Sequence, residues 1–374
     1  SQPSLSDDGQ LMFFLSDADN LVTGDTNGQA DIYLYKRGSN TLSLITVSND
    51  GQQLPEGGVD PAISSDGQII AFSSNTNSIL PEEDDSYFDV FVYDDLTKTV
   101  EQITSSYAGN SVSPRLTGDG NIIVFVSDAT NIISPQLTNA GQTHIYQHNR
   151  QSGVTQLVDV AVEGVYGNGS SRWADVSADG EKIVFASVAT NLTADIVPEN
   201  TYHIYLYQNN TKQIELIGQG SNPAISPEGS HIAFWQNREE ERYVVLYSLE
   251  NKTSVDIAPV VPYLHGEFSG FQLDVSNDGE YVLFWSGILG EGAQRMYLYE
   301  HATDSVHPVE PEQIKVGDQG SGGPAISAHG RWLLFESRAR ITNDDLNEFS
   351  DIYLVDNSTN EMFLVPNIEL LKNQ

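Results

Sequence analysis

Three loops of this 374-residue chain space oxygen donors as a calcium ion would take them. Asp25, Asn27 and Asp31 place carboxylate and amide oxygens at positions 1, 3 and 7 of a tight turn. Asp345, Asn347 and Asp351 repeat that spacing, and Glu83, Asp85 and Asp89 give a third version. Hard oxygen donors at alternate positions around a turn suit Ca²⁺, and Gly28 allows the bend. The bidentate Glu of an EF-hand is missing, so the loop is of another kind. His144 and His203 stand at the last position in two further copies, where the other donors are lost. Asp and Asn also close turns on backbone amides with no ion present. The spacing therefore predicts either a loop-ordering Ca²⁺ site, foremost at Asp25/Asn27/Asp31, or a set of side-chain turns.

Catalytic signatures are few. The chain has no Gly-x-Ser-x-Gly elbow, no His-Glu-x-x-His and no phosphate-binding glycine loop. It has no cysteine, which removes disulfides and thiolate metal sites. Of the eight histidines only His144 and His148 stand close together. Acidic residues number 52 against 17 basic, a net charge of −35. Nucleic-acid binding needs clustered Lys and Arg and is excluded on that ground, and anionic membrane surfaces are disfavoured. No apolar run approaches the ~18 residues of a spanning helix. The acidity suits solubility in a salty medium or the holding of Ca²⁺. A monomer is expected, in the periplasm or at the surface of a Gram-negative bacterium. Residues 1–3 already belong to the first repeat, as in a mature chain or an excised domain.

The elements that position these residues follow from a repeat of roughly 50 residues. Its first half, small-x-apolar-Ser-x-Asp-Gly and an apolar run ending in Phe, occurs at 3–14, 61–72, 114–125, 174–185, 223–234, 273–284 and 324–335. The second half, an Ile-Tyr-apolar-Tyr segment, follows at 31–35, 89–93, 144–148, 203–207, 244–248, 296–300 and 351–355. A shorter apolar run closes each copy. Each repeat thus carries four strand signals rich in Val, Ile, Phe and Tyr. Asp-Gly joins the first two as a hairpin. One such sheet cannot bury both faces, whereas seven stacked radially can. The fold class is all-β, a seven-bladed β-propeller with four antiparallel strands per blade. A single propeller spans 1–366, in repeats 1–58, 59–110, 111–170, 171–221, 222–270, 271–322 and 323–366, with a tail at 367–374. Closure by packing of the last blade on the first is expected.

The repeat resembles the PD40 family, the WD40-like repeats of TolB, over essentially the whole chain. The resemblance implies the propeller fold, with seven blades where TolB has six, and leaves activity open. The chain is also similar in size to the seven-bladed oligogalacturonate lyases, which carry such repeats and use His and Gln around a metal. Prolyl oligopeptidases join a propeller of this type to a hydrolase domain.

Loops between strands two and three, and between blades, vary in length and chemistry and are the expected functional face. The innermost strands align Ser4, Ala62, Arg115, Asp175, Ala224, Asp274 and Ala325. Four are small and three are charged, and a semi-buried charge needs a partner. Arg115 with Asp175 would make a wall salt bridge, or the three charges a ligand cradle. The flanking column holds Gln2, Asp60, Ser113, Trp173, Asn222, Gln272 and Gly323. Amides with an aromatic face suit sugars or peptide backbone. After the strand-two Phe, blades 5 and 6 carry Trp235 and Trp285, as inter-blade packing or a pocket wall. Tyr166, Tyr263, His265 and Phe268 on the long loops could complete such a pocket. The expected ligand site is Arg115, Trp173, Asp175, Asp274, Gln272, Asn222, Tyr166 and Tyr263. The expected function is a non-catalytic binding propeller for a protein, peptide or glycan, stabilised by Ca²⁺. The alternative is a polysaccharide-degrading enzyme, lyase or glycoside hydrolase, working at the channel mouth.

Overall fold

A computed structural model describes residues 3–76, 87–104, 108–133, 136–138, 141–161, 164–238, 241–262, 272–287, 294–310, 321–343, 345 and 349–365. The chain is a seven-bladed β-propeller. Its strands form seven four-stranded antiparallel sheets, each from four consecutive strands hydrogen-bonded in chain order. A single 3-10 turn, Asn277–Gly279, is the one helical element among the described residues. The chain divides into two compact units. Unit 1 is Ser1–Phe14, Tyr35–Leu42 and Ala224–Gln374, and unit 2 is Leu15–Leu34 and Ser43–Pro223.

The Ser of the repeat has one job in all seven blades. Its hydroxyl accepts the N–H of the first strand-two residue: Leu11, Ile69, Ile122, Lys182, His231, Tyr281 and Trp332. Thr117 replaces Ser in blade 3 and does the same. In blades 1 to 4 the hydroxyl also donates to the Asp two residues on, at 2.6–2.7 Å. That carboxylate accepts the next backbone N–H, as Asp8 does from Gln10 at 2.9 Å. The turn is thereby closed by side chains.

The Gly of the turn is where one blade meets the next. Gly9 has φ +65°, and a Cβ there would lie 2.2 Å from the Trp332 ring of blade 7. Gly330 has φ +69°, and its Cβ would lie 2.1 Å from the Tyr281 ring of blade 6. Both backbone angle and space exclude a side chain. The same approach sets Gly120 on Ile69, Gly180 on Ile122 and Gly279 on His231. Within unit 1, blade 7 therefore stacks on blade 1 as blade 6 stacks on blade 7. Trp332 also lies under the guanidinium of Arg37, 3.9 Å from its ring.

The core lies between the sheets. All seven strand-two phenylalanines, Phe14, Phe72, Phe125, Phe185, Phe234, Phe284 and Phe335, are buried as expected. In five blades that Phe stacks on the aromatic of strand three: Phe72 on Phe91, Phe125 on Tyr146, Phe185 on Tyr205, Phe284 on Tyr297, Phe335 on Tyr353. Ring centroids are 5.6–6.0 Å apart. Clusters of apolar residues then join blade 2 to blade 3, 3 to 4, 5 to 6 and 6 to 7.

Two outcomes follow from the seams. Gly9→Ala is expected to lower unfolding stability by about 2–4 kcal/mol, from a strained φ plus overpacking against Trp332. Denaturant unfolding with intrinsic fluorescence measures it. His231 is the one histidine among the five residues over which a turn glycine packs. Burial, then the nearby His301, holds its pKa below the ordinary 6.5, with Asp278 and Glu250 opposing. The folded state prefers the neutral ring. That stability is complete above the ordinary value and is lost as pH falls through it toward the depressed one. His231→Ile, the residue of blades 2 and 3, should raise the melting temperature at pH 5.5 more than at pH 7.5.

Candidate functional site

The oxygen-rich loop of blade 1 folds around Gln53. Its Oε1 accepts the N–H of Thr26 at 2.9 Å, which fixes the amide. Its Nε2 donates to Asp25 Oδ1 at 2.8 Å and to Asp31 Oδ2 at 2.9 Å. Tyr33 donates to the other oxygen of Asp25, and Thr46 to the other oxygen of Asp31. All four carboxylate oxygens thus accept protein donors. Asn27 also bonds the backbone, donating to Leu54 O at 2.8 Å and accepting from Gln29 N at 2.9 Å. Burial pushes the Asp31 carboxyl up, against the donors Thr46, Asn27 and Gln53. Burial and the Asp25 carboxylate push the Tyr33 phenol up. In blade 7, Tyr353 donates to Asp345 at 2.7 Å, and Asp351 opens strand three opposite Ser337. Asn347 lies outside the described residues.

The residue that opens strand three meets the residue fifteen positions on, at the end of strand four. Asp31 takes Thr46, and Asp89 takes Thr104 at 2.7 Å. His144 Nδ1 shares a proton with Asp159 Oδ2 at 2.8 Å. Both members change together from one blade to the next. Asp159 also accepts from Ser171 Oγ at 2.7 Å, on the first strand of blade 4, and from Ile145 N at 3.2 Å. His144 and Asp159 are 1% and 0% exposed, so this pair is internal. His203, whose counterpart is Gly218, turns to Thr201 O at 2.9 Å. The partner fifteen residues away was the signal that sequence reading missed.

The innermost strands carry the second feature. In blades 2, 3, 4 and 7 the register with strand two slips by one residue, a β-bulge. The bulged residue has a left-handed backbone: Asp60 (φ 54°), Ser113 (φ 55°), Trp173 (φ 52°) and Gly323 (φ 58°). Asn222 in blade 5 has φ 49°. These are the flanking column read from the sequence. Asp, Asn, Ser and Gly accept this backbone region readily, whereas a bulky aromatic is an outlier there. Trp173 is 40% exposed, and its ring lies 4.9 Å from that of Tyr202. Ser113 donates to Asp60 Oδ2 at 3.1 Å, from blade 3 to blade 2.

The remaining expected site residues are dispersed. Arg115 and Asp175 are half-buried on the inner strands of blades 3 and 4, and Arg115 donates to Pro114 O at 2.9 Å. Asp274 accepts from Ile326 N at 2.8 Å, an inter-blade clasp that gives its charge a structural use. Gln272 precedes the inner strand of blade 6 and is half-buried. Tyr166 sits edge-on to His144 and bonds to Thr138, in the loops of blade 3. Tyr263, with His265 and Phe268, lies outside the described residues. Trp235 and Trp285 are 2% and 8% exposed and pack between blades. Among the described residues, no three His, Asp or Glu side chains group so as to hold a metal ion.

No family model and no curated protein matches the chain. Solved structures do. An oligogalacturonate lyase of Vibrio parahaemolyticus is 13% identical, with 96% of this chain and 89% of that one covered, at a TM-score of 0.62. The propeller domain of the trilobed protease of Pyrococcus furiosus, described as having an open velcro topology, is 16% identical over 97% and 94%, at 0.60. A puromycin-hydrolyzing peptidase of Mycobacterium tuberculosis is 12% identical at 0.63, over 97% of this chain and 52% of that one. At these identities the likeness shows the fold. The expectation of a non-catalytic binding propeller is corrected by these matches, because the propellers so alike in fold are enzymes or parts of enzymes. The lack of a specific catalytic signature in the sequence had suggested otherwise.

The His144 pair gives a direct test of its structural use. Asp159→Ala strands the imidazole of His144 and the hydroxyl of Ser171. It should cost about 2–4 kcal/mol of stability. Thermal unfolding of the variant against the parent chain measures it.

Proposed function

We propose that this chain is a polysaccharide-degrading enzyme whose substrate lies across the inner strands of blades 2 to 4. The observation that carries the reading is the run of bulges there. They set Asp60, Ser113 and the exposed Trp173 at left-handed positions, with Arg115 and Asp175 two residues on from Ser113 and Trp173. Bulges recur next to active sites because they re-aim side chains. Support also comes from coverage. The match covers most of the lyase, whereas the chain spans about half of the peptidase. The repeat wording supports a place among TolB-like propellers.

Asp60 and Asp175 are the carboxyl groups that these inner strands supply for acid–base work on a glycosidic bond. Arg115 can donate hydrogen bonds to sugar hydroxyls beside that bond. The metal that the lyase resemblance implies has no grouping of three acidic or histidine ligands among the described residues, and no step is routed through one. A net charge of −35 repels polyanionic chains and favours a neutral glycan.

Incubation with neutral and with uronate-containing polysaccharides, followed by a reducing-end assay, tests the reading. New ends are expected from a neutral chain, and Asp60→Asn and Asp175→Asn should each cut kcat about 10²–10⁴-fold while the protein stays folded. Unsaturated, ultraviolet-absorbing ends from a uronate chain would mark elimination in place of hydrolysis. No cleavage of either class would overturn the proposal.

A further inference from the structure

The geometry points to Trp173 and Tyr202 as a stacking platform for a pyranose ring of a neutral glycan. This deepens the reading above and rests on it for the location of the substrate. Trp173 departs from every other described residue at its place in the blades. Blades 2, 3, 5 and 7 fill the left-handed position with Asp60, Ser113, Asn222 and Gly323, residues that suit it. Blade 4 puts the largest side chain there, at φ 52°. The fold does not require an aromatic at the bulge, since blades 2, 3 and 7 form it without one. A conformation that a protein holds against its own preference is drawn to places of use.

The surroundings fit a sugar. Trp173 is the one exposed tryptophan of four, for Trp235, Trp285 and Trp332 are all buried. Tyr202 is steadied behind it, its carbonyl accepting from Gly220 N at 3.0 Å. The exposed ring of Trp173, braced by Tyr202 with centroids 4.9 Å apart and a tilt of 55°, offers an apolar face. The C–H face of a pyranose covers such a ring, while its hydroxyls need polar groups at the rim. Asp60 and Ser113, joined at 3.1 Å, are the bulge residues of the two preceding blades in the same unit. A chain this acidic repels uronates, so an uncharged sugar is the class that the platform takes.

Because Trp173 is the exposed tryptophan, its fluorescence reports occupancy directly. Cellohexaose, xylohexaose and maltohexaose serve as probes, with trigalacturonic acid and a proline-rich decapeptide as the contrasting classes. At least one neutral hexasaccharide should quench or blue-shift the emission. Trp173→Asn should weaken its calorimetric affinity about tenfold or more, with an unchanged or higher melting temperature. Trp173→Phe should restore part of the affinity, and Tyr202→Ala should weaken it in a chain that keeps Trp173. Response to none of the neutral probes would overturn the platform, as would unchanged affinity in Trp173→Asn. Response to the decapeptide or to trigalacturonic acid alone would overturn the sugar class. Binding without cleavage would sink the enzymatic reading and leave the platform standing. Cleavage with parental KM in Trp173→Asn would do the reverse.

Discussion

One hydrogen bond recurs in every blade, and the molecule is organised around it: the hydroxyl of the repeat Ser, or Thr117, accepting the first N–H of strand two. It closes the turn tightly enough to bring a glycine with positive φ against the neighbouring blade. At five seams, those of Gly9, Gly120, Gly180, Gly279 and Gly330, the residue whose N–H is held is also the one on which the next glycine packs. Turn closure and blade stacking are thus one contact seen from two sides. A larger residue at that glycine would push apart two sheets that bury their cores against each other.

The outer end of strand three is held more freely. Asp with Thr in blades 1 and 2 becomes His with Asp in blade 3. What is kept is a buried donor matched to a buried acceptor, since an unmatched one costs about 1–3 kcal/mol. Chemistry at this place can drift provided that both members drift together. The oxygen donors of blade 1 belong to the same economy, with Gln53 satisfying two carboxylates at once.

The inner strands are the opposite case. Their bulges need a residue that tolerates a left-handed backbone, and the described blades mostly comply. Blade 4 does not, and it spends stability on an exposed aromatic where Asn or Gly would cost less. The two departures from the repeat differ in kind. Asp274 carries charge but gives it to Ile326 N, inside the fold. Trp173 offers its ring to solvent.

The sequence by itself determined the all-β class, seven blades of four strands, the buried phenylalanines and the Asp-Gly hairpins. These rest on local spacing, period two within strands and a turn every hairpin, repeated often enough to be unmistakable. It also aligned Asp60, Ser113, Trp173 and Asn222 in one column, read as amide-rich with an aromatic face. Only the tertiary structure decided what that column is. A bulge is a mismatch of two strands, and one strand cannot state it. Only the tertiary structure joined Asp31 to Thr46 and His144 to Asp159, because their fifteen-residue separation is closed by sheet pairing and not by the local chain. The spacings of two and six residues could not show that Tyr33 and Gln53 donate to those oxygens, because these donors come from the next strand and the next loop.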